Sequence, residues 1–368
     1  MTCLVKKRIL FVSMAAYPLF NKGAGLAYGG AELDLYTIAT TLDSDSFETH
    51  FLTGDFGQNE LEKYEQVTVH RGQKIVNSNY MSGAWNFLRF LNIVRKINPD
   101  IIFTEAAGWL TVECIIAKLL LGKKLIFRSA HIKNINGFTD SRGYGYLYRR
   151  LINHIDCFIL QNDQDIPTFH SSFTFTQKVL VIRNLQTIPQ TDPLPQERRK
   201  NCLWVGRSEE IKDPRLFIEV AKLLPESSFV MIAPETNKAL FHDLKKSAQE
   251  VRNLRFIPGL DRESLMPFFA EALFLINTSQ AEGFPNVILE ALKHGTPIIS
   301  ARLDFDSILK KHGCGIISGD SPEQIVKTIN GVSKTAWSAY SQNAYAFSQK
   351  HFNIVNGIKK YEKLFLQI

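Results

Sequence analysis

Short apolar runs rich in β-branched and aromatic residues alternate with amphipathic stretches along the first half of the chain. Several intervening segments, such as AELDLYTIATTL and MSGAWNFLRFLNIVRKI, space their apolar residues as helices do. Nearly continuous apolar strands separated by helices are typical of a parallel sheet with helices on both faces. The predicted strands of this half are 8–14, 49–54, 67–71, 100–105, 124–129, 157–162 and 178–184.

The alternation stops at 186–200, where QTIPQTDPLPQERRK has three prolines and no periodicity, and then resumes. We interpret this segment as a linker. A chain of 368 residues also exceeds what one hydrophobic core usually serves. We therefore predict α/β architecture with two Rossmann-like domains, each a doubly wound parallel sheet, facing one another across a cleft. The predicted strands of the second half are 201–206, 228–233, 254–259, 273–278, 296–300 and 314–318.

The predicted domains are 1–187 and 200–351, and we expect the last helix, 352–368, to pack back on the first. Residues 6–8 are basic and precede ILFVSMAAY, which resembles the start of a secretory signal. A buried first strand is the favoured interpretation, because a glycine-rich turn follows and no clear cleavage site does. No apolar run approaches the roughly 20 residues that a membrane span needs, so any membrane contact would be peripheral.

The net charge of +7 is concentrated in one part of the chain, 118–150, which contains a single acid, Asp140. A solvated surface explains such a run, and so does attraction to phosphate groups, nucleic acid or an anionic bilayer. Aromatic and aliphatic residues interleave with the arginines, which favours a membrane-surface helix somewhat. The basic residues are Lys118, Lys123, Lys124, Arg128, Lys133, Arg142, Arg149 and Arg150.

The cysteines, at 3, 114, 157, 202 and 314, form no CxxC motif and no cluster with histidines. A reducing compartment without zinc is the simplest interpretation. Two aspartate pairs, at 43 and 45 and at 163 and 165, resemble the DxD pairs of metal-dependent enzymes. We place the first in a turn after a helix and expect the second to cap a helix N-terminus, so we predict no metal.

Polar and glycine residues follow several predicted strands at their carboxyl ends. Gly23, Gly25, Gly29 and Gly30 precede the first helix, where backbone N–H groups could approach a phosphate or a sugar. The spacing is not GxGxxG, and a flexible loop explains it nearly as well.

After the strand NCLWVG, Arg207 and Lys212 precede a helix for which Asp213 has the residue type of an N-cap and Pro214 that of the first position. Two cations at a strand end and a helix start could converge on a diphosphate. Alternatively, they are two ordinary surface charges.

The stretch AEGFPNVILEALK carries two acids eight positions apart, Glu282 and Glu290. The first lies in a loop after a strand, and the second lies more than one turn into a helix that Pro285 begins. The N–H groups at this helix start favour an anion. Glu290 is either an ordinary solvated helix residue or one of two acids facing a single ligand.

Arg207-x4-Lys212 followed by Glu282-Gly-Phe-Pro-x4-Glu290 resembles the retaining glycosyltransferases of family 4, which have the GT-B fold. The resemblance covers nearly the whole chain and includes GGAE at 29–32, the strand PDIIFTEAA, His131 and VIRN at 181–184. It departs where Arg183-Asn184-Leu185 replaces the frequent Pro-Asn-Gly and where Ile132 follows the histidine.

The resemblance implies an N-terminal acceptor-binding domain and a C-terminal domain that binds a nucleoside diphosphate sugar. Arg207 and Lys212 would neutralise the diphosphate, Glu290 would hold the ribose hydroxyls, and Glu282 and His131 would lie near the transferred sugar. The other implied donor contacts are Gly30, Leu260, Gly283, Phe284, Pro285, Asn286 and Val287.

The implied activity is transfer of a sugar to an acceptor hydroxyl with retention, without a cofactor or metal. The acceptor would be a glycan or a lipid-linked saccharide, in bacterial surface glycan synthesis. We expect a cytoplasmic enzyme that does not bind nucleic acid and leave open a contact with an anionic membrane. A nucleotide-sugar epimerase of the same architecture and a non-catalytic sugar-nucleotide-binding protein are the alternatives.

Overall fold

The computed structural model describes residues 6–24, 28–73, 80–105, 107–137, 143–282 and 284–368. The chain divides into two compact units, one formed by 1–185 with 354–368 and the other by 186–353. The described residues contain no helix that combines the length and the apolar character needed to cross a bilayer.

Every strand predicted from the sequence is present, with ends that differ by a few residues. The strands are β1 Lys7–Val12, β2 Phe47–Thr53, β3 Leu61–Tyr64, β4 Val67–Arg71, β5 Ile101–Glu105, β6 Lys124–Arg128, β7 Cys157–Leu160, β8 Lys178–Val181, β9 Asn201–Val205, β10 Ser228–Ala233, β11 Leu254–Pro258, β12 Ala272–Asn277, β13 Ile298–Ser300 and β14 Gly315–Ile317. The helices are α1 Tyr17–Phe20, α2 Gly30–Thr41, α3 Tyr80–Ile97, α4 Trp109–Leu121, α5 Gly145–Leu151, α6 Asp165–Ser172, α7 Pro214–Leu223, α8 Lys238–Gln249, α9 Arg262–Glu271, α10 Asn286–Lys293, α11 Ile308–His312, α12 Pro322–Gly331, α13 Lys334–His351 and α14 Ile354–Gln367.

The sheet of the first unit has the order β3-β4-β2-β1-β5-β6-β7-β8. All neighbouring strands are parallel except β3, which pairs antiparallel with β4 at the edge. The sequence analysis missed β3 because its residues alternate between exposed and half-buried, which gives it no apolar run.

Helices cover both faces of this sheet. On one face, Phe11 and Phe103 pack against Phe365 of α14, with ring centroids 6.4 and 5.8 Å apart respectively. On the other, strand residues such as Leu10 and Phe127 join a separate apolar cluster that includes Val94 of α3 and Ile115 of α4. Burial on both faces explains why the strands are nearly continuous apolar runs.

The sheet of the second unit has the order β11-β10-β9-β12-β13-β14, and its paired strands are all parallel. One face buries Trp204 and Met231 together with Trp337 of α13. The opposite face buries Leu275 with Ile288 of α10. The prediction of two doubly wound sheets is therefore confirmed.

The segment 186–200 is a packed part of the second unit, so its interpretation as a linker was wrong. Arg199 is 6% exposed, and its guanidinium donates to the carbonyl oxygens of 194, 272, 294 and 295 and to the hydroxyl of Thr296. It also lies over the ring of Trp337, 5.1 Å from the centroid. These contacts fasten the proline-rich segment to the sheet.

The basic stretch 118–150 is not one surface. Arg128 is fully buried, and its Nη1 lies 3.1 Å from an Asp34 oxygen and 2.5 Å from a Glu105 oxygen. Lys118 and Lys124 both pair with Asp156, at 3.0 and 3.3 Å. Arg142 lies outside the described residues. Three of the eight cations are thus already paired within the first unit.

Candidate active site

The second sheet has a switch point between β9 and β12, its two central strands. From β9 the chain proceeds outward to β10 and β11, and it then returns to β12 on the other side of β9. Ligands of doubly wound sheets bind beyond the carboxyl ends of the strands at such a point. The loops that leave these ends are 206–213 and 278–285, which contain half of the predicted donor-binding residues.

Lys212 and Glu282 form an ion pair between these two loops. The lysine side chain is 15% exposed and the glutamate side chain 10%. Ser279 donates its hydroxyl to the same Glu282 oxygen at 2.7 Å. Two residues seventy positions apart are therefore brought together, as the resemblance implied.

Hydrogen bonds hold the two loops against each other. The hydroxyl of Thr278 donates to the Lys212 carbonyl at 2.7 Å and accepts from the Trp204 indole N–H at 2.9 Å. The Gln280 N–H donates to the Ile211 carbonyl at 2.9 Å. The backbone on both sides of the Lys212–Glu282 pair is thereby fixed.

Asp213 is the N-cap residue of α7, as predicted, although its side chain does not cap the helix. The residue has a left-handed backbone, with φ 48° and ψ 52°, and makes no side-chain cap hydrogen bond. Its carboxylate instead accepts from Arg302 at 2.9 Å. Pro214 does occupy the first turn of the helix, as predicted.

Arg207 follows β9 directly but does not join the buried pair. Its side chain is 62% exposed and lies 3.1 Å from a Glu209 carboxylate oxygen. An exposed pair of this kind is weak, so the guanidinium can be redirected at little cost.

The helix α10 begins at Asn286, after Pro285 as its N-cap residue. The Ile288 N–H already donates to the Pro285 carbonyl at 3.0 Å, which tightens the first turn. The side chain of Phe284 is buried and its ring centroid lies 5.4 Å from that of Phe352. Phe284 therefore anchors the loop in the core, and only its backbone could contact a donor. Gly283 lies outside the described residues.

Glu290 is buried at 6% exposure, which excludes an ordinary solvated helix residue. One of its carboxylate oxygens accepts from Arg262 at 2.9 Å, and the other pairs with Lys293 one turn along the helix. Arg262 also donates to Gln186 at 2.7 Å. Burial lowers the pKa of Lys293 from its usual value, although Glu290 opposes that effect.

Val287 and Leu260 are both half-buried and border the apolar cluster beneath α10. Leu260 comes two residues before Arg262, the first residue of α9. The predicted donor contact Leu260 is therefore followed closely by Arg262, the cation that holds the predicted ribose-binding residue Glu290.

In the first unit, Gly30 is the first residue of α2. The Glu32 carboxylate accepts from the Gly29 N–H at 2.9 Å and so caps this helix start. His131 comes three residues after the end of β6, is exposed, and accepts through Nδ1 from the Lys133 N–H at 3.0 Å. Nδ1 is therefore unprotonated. Contacts of Gly30 and His131 with a donor stay predictions.

Neither aspartate pair has the setting of a metal site. Asp43 lies in the turn after α2 and accepts from the Ser46 hydroxyl at 2.6 Å. The expected capping by the second pair was wrong, since the N-cap of α6 is Gln164, without a side-chain cap bond. Asp163 instead pairs with Arg183 at 2.7 Å. Among the residues the structure describes, no group of three potential metal ligands occurs.

Sequence reasoning missed Ser279, Arg262, Lys293 and Arg302 as parts of this site. Lys293 lies three positions after Glu290, a spacing that predicts a pair on one helix face. The other partners come from distant loops, and no local pattern marks them.

Residues 199–334 match the family model described as glycosyl transferases group 1. All of the matched residues lie within the second unit. An uncharacterized 41.2 kDa protein in the cps region of Klebsiella pneumoniae is 19% identical over 298 residues, which are 76% of this chain and 82% of that protein.

Two solved structures extend the comparison to both units of the chain. Sucrose-phosphate synthase from Thermosynechococcus elongatus matches with a TM-score of 0.77 and 14% identity, over 98% of this chain and 99% of that chain. Anabaena HepE, solved in complex with UDP and glucose, matches with a TM-score of 0.75 and 17% identity over the same shares. Both units of the chain therefore belong to the GT-B fold, as the sequence predicted.

Proposed function

We propose that this glycosyltransferase moves a sugar from a nucleoside diphosphate sugar to an acceptor hydroxyl with retention of anomeric configuration. The observation that carries the proposal is the Lys212–Glu282 pair at the switch point of the second sheet, beside the start of α10. Doubly wound sheets bind nucleotides at such a point. The similar HepE structure, which contains UDP and glucose, supports this class of donor.

Lys212 would hold the diphosphate. Its ammonium has three N–H donors and gives one to Glu282, which leaves two for phosphate oxygens. Arg207 would add a guanidinium after leaving Glu209, and the start of α10 would add its partial positive charge. These groups provide the charge compensation for which other transferases use a metal.

Glu290 would bind the ribose. Arg262 and Lys293 fix the orientation of its carboxylate. One oxygen accepts two hydrogen bonds from Arg262, and the oxygen that pairs with Lys293 keeps a lone pair for a hydroxyl donor. Glu282 would contact the donor sugar near the anomeric carbon, with Ser279 and Lys212 holding it in place.

In the proposed step, the bond from the anomeric carbon to the phosphate oxygen breaks, and the acceptor oxygen bonds to that carbon on the same face. The acceptor proton passes to an oxygen of the departing diphosphate. Fixed cations at the place where negative charge develops stabilise the transition state. Proton nuclear magnetic resonance of the product tests retention through its anomeric coupling constant.

The Lys212→Ala variant should lower kcat by about a hundredfold or more, the usual effect of removing one preorganised donor. Lys222→Ala is the matched control, because Lys222 makes only an exposed pair with Glu219. Unchanged turnover in the Lys212 variant, with its fluorescence and melting temperature intact, would refute the assigned role. A thermal-shift screen of sugar nucleotides identifies the donor, since a bound donor must raise stability.

Two other functions give different results in the same assays. An epimerase isomerises the sugar when donor is incubated alone, whereas a transferase needs an acceptor to consume it. A non-catalytic binding protein raises its melting temperature with donor but releases no nucleoside diphosphate with any acceptor. The group 1 family match favours the transferase.

We further propose a glycan or lipid-linked saccharide as acceptor, in polysaccharide synthesis at the inner face of the membrane. Three helices on one face of the first sheet expose large apolar residues, and α4 contacts both α3 and α5. Arginines lie beside them, with Arg150 stacked 5.3 Å from the Tyr146 ring centroid. Aromatic and basic side chains together suit an anionic bilayer. The exposed apolar residues are Trp85, Leu88, Trp109, Leu119, Leu120, Tyr146 and Leu147.

Vesicle co-sedimentation at low salt tests this contact. Leu120→Ser should reduce binding to vesicles containing an anionic phospholipid, whereas Leu366→Ser should not. The two leucines are matched in exposure, at 63% and 61%, but Leu366 lies on α14, which packs on the opposite face of the sheet. Equal effects of both substitutions, or no binding of the unsubstituted protein, would refute a membrane contact at this face.

A further inference from the structure

The first unit contains a cavity of about 750 Å³ whose lining residues include none of those assigned to donor binding. It lies between α3 and the face formed by β1, β2 and β4. Cavities of a few hundred to about a thousand cubic ångströms are the usual size for small-molecule sites. The chemistry of its lining residues indicates which class of ligand it could bind.

The sheet face beneath α3 changes character along its length. Leu10, Val12 and Leu52 of this face belong to the apolar core. Toward the amino ends of the same strands the face carries Arg8 and Glu48, which are register partners. The neighbouring positions of β2 and β4 on this face, His50, Thr68 and His70, are also polar. A sheet face covered by a helix is ordinarily apolar, so this polar half requires an explanation.

The two histidines and Glu48 form a hydrogen-bonded chain. The Glu48 carboxylate can only accept, so His50 donates to it through Nε2 at 2.9 Å. In neutral His50, Nδ1 is then an acceptor, and it receives Nε2–H of His70 at 2.9 Å. Burial lowers the pKa of His50 and lowers that of His70 to about 4, so both are neutral at pH 7. With Nε2–H of His70 used in this hydrogen-bonded series, Nδ1 of His70 is left as an acceptor for a ligand hydroxyl.

Cations outnumber acids around the cavity, with four basic residues against two carboxylates. Arg8 is committed, because it pairs with Glu48 at 2.9 Å and donates to the Ile97 carbonyl at 2.7 Å. Arg71 is partly committed, because one of its terminal nitrogens donates to the Gln58 carbonyl at 2.8 Å and the other lies 3.7 Å from a Glu60 carboxylate oxygen. Its Nε is buried and has no hydrogen-bond partner.

The remaining two cations come from the helix side. Arg89 and Lys96 lie two turns apart on α3 and line the cavity. Neither makes an ion pair with any residue that the structure describes. Positive charge from the helix therefore lines the same cavity as the Arg71 guanidinium of the sheet.

We infer that this cavity is a second ligand site, which binds a small phosphate monoester carrying hydroxyl groups. Arg71, Arg89 and Lys96 hold the phosphate through charge-assisted hydrogen bonds, which arginine and lysine make well with phosphate oxygens. His70 accepts from a hydroxyl of the ligand. The donor-binding residues of the second unit take no part.

Isothermal titration calorimetry with glycerol 3-phosphate tests the inference, with glycerol as the uncharged control. The Arg89→Gln/Lys96→Gln variant should weaken binding at least tenfold, the order expected for removing charge-assisted hydrogen bonds. Arg95→Gln is the matched control, because Arg95 is an exposed cation beside Lys96 on α3 that does not line the cavity. Arg207→Gln should leave the affinity unchanged.

Heteronuclear spectra of the histidine rings give an independent measurement. Glycerol 3-phosphate should shift the ring resonances of His50 and His70, and inorganic phosphate should shift them less because it offers no hydroxyl chain. Three outcomes would overturn the inference. These are no binding at millimolar ligand, equal weakening by Arg95→Gln, or loss of binding in the Arg207 variant, which would assign the phosphate to the donor site.

Discussion

The Arg128→Met variant should destabilise the first unit substantially, because Arg128 is the buried counter-ion of two carboxylates. It is fully buried, and it lies 3.1 Å from Asp34, 2.5 Å from Glu105 and 2.5 Å from the Asn184 side-chain oxygen. Removing one partner of a buried ion pair costs about 3–5 kcal/mol, since the other charge is left uncompensated. Methionine fills most of the volume, so the effect is mainly electrostatic.

At acidic pH, the Arg128→Met variant should lose an amount of stability near the lower end of this 3–5 kcal/mol range, about 3 kcal/mol. Burial raises the pKa of Glu105 well above 4.5, and Arg128 opposes that rise. Without Arg128 the pKa rises further, and the folded variant takes up a proton that the unfolded chain releases. A carboxyl group whose pKa is higher in the folded than in the unfolded state stabilises the fold at pH values below the unfolded pKa. This stabilisation is lost as the pH rises through the folded pKa. The variant should therefore lose less stability at pH 5 than at pH 8.

The assay must report on the first unit alone. Its tryptophans, Trp85 and Trp109, are 72% and 55% exposed, so fluorescence reports mainly on the buried Trp204 and Trp337 of the second unit. Hydrogen exchange of the amides in β5 and β6 measures the opening of the first unit directly. Amides in β10 serve as the internal control and should not change.

A companion variant separates charge from packing. Arg128→Met/Glu105→Gln has one carboxylate fewer to compensate and should be at least about 1 kcal/mol more stable than Arg128→Met alone. A loss below about 1 kcal/mol in the single variant, or no recovery in the double, would refute the counter-ion explanation.

Arg199→Lys should lower the free energy of unfolding of the second unit by about 2–3 kcal/mol, because an ammonium cannot reach the five acceptors that the guanidinium contacts. Urea unfolding followed by Trp204 fluorescence measures this loss. An unchanged urea midpoint would mean that Arg199 does not hold the segment 186–200 in place. The pKa of His70 is about 4 in the folded protein and 6.5 in the unfolded chain, so the free energy of unfolding falls as pH drops from 6.5 to 4. The His70→Asn variant lacks this contribution and should lose less stability over the same pH range. If the variant loses as much stability as the unsubstituted protein between pH 6.5 and 4, His70 is not the origin of the acid sensitivity. Gly315→Ala should be strongly destabilising, because its Cβ would lie 2.0 Å from a carbonyl oxygen of β13, whereas Gly331→Ala, with open space around it, should be close to neutral. Melting temperatures compare the two, and similar values would contradict the steric argument.

The strands could be predicted because their signal is local. A strand buried on both faces must be apolar at nearly every position, as in β7, β10 and β12, whereas the edge strand β3 and the mixed strand β4 give weaker signals. The doubly wound arrangement follows from the alternation itself. The structure adds the strand order, which creates the switch points and which no single segment encodes.

Charged residues were harder to place, because their partners come from elsewhere in the chain. Arg128 belongs to a basic run in the sequence, yet it is the last residue of β6 and meets Asp34 and Glu105 from other elements. Arg199 lies in a segment that looks like a linker, and it is buried by contacts that span up to 97 positions. Summing charge along a sequence window therefore overestimates the surface charge.

The proposed donor site shows the same limit, and this affects how the kinetics of its variants must be interpreted. Lys212 and Glu282 were both identified from the sequence, but their mutual ion pair was not. Either substitution alone leaves a partly buried charge unpaired, so a fall in turnover could reflect a distorted loop. The Lys212→Ala/Glu282→Gln double variant separates the two causes. If Lys212 only supports Glu282, the double variant should be no slower than Glu282→Gln, whereas an additional loss in kcat would identify a direct role of the ammonium on the diphosphate.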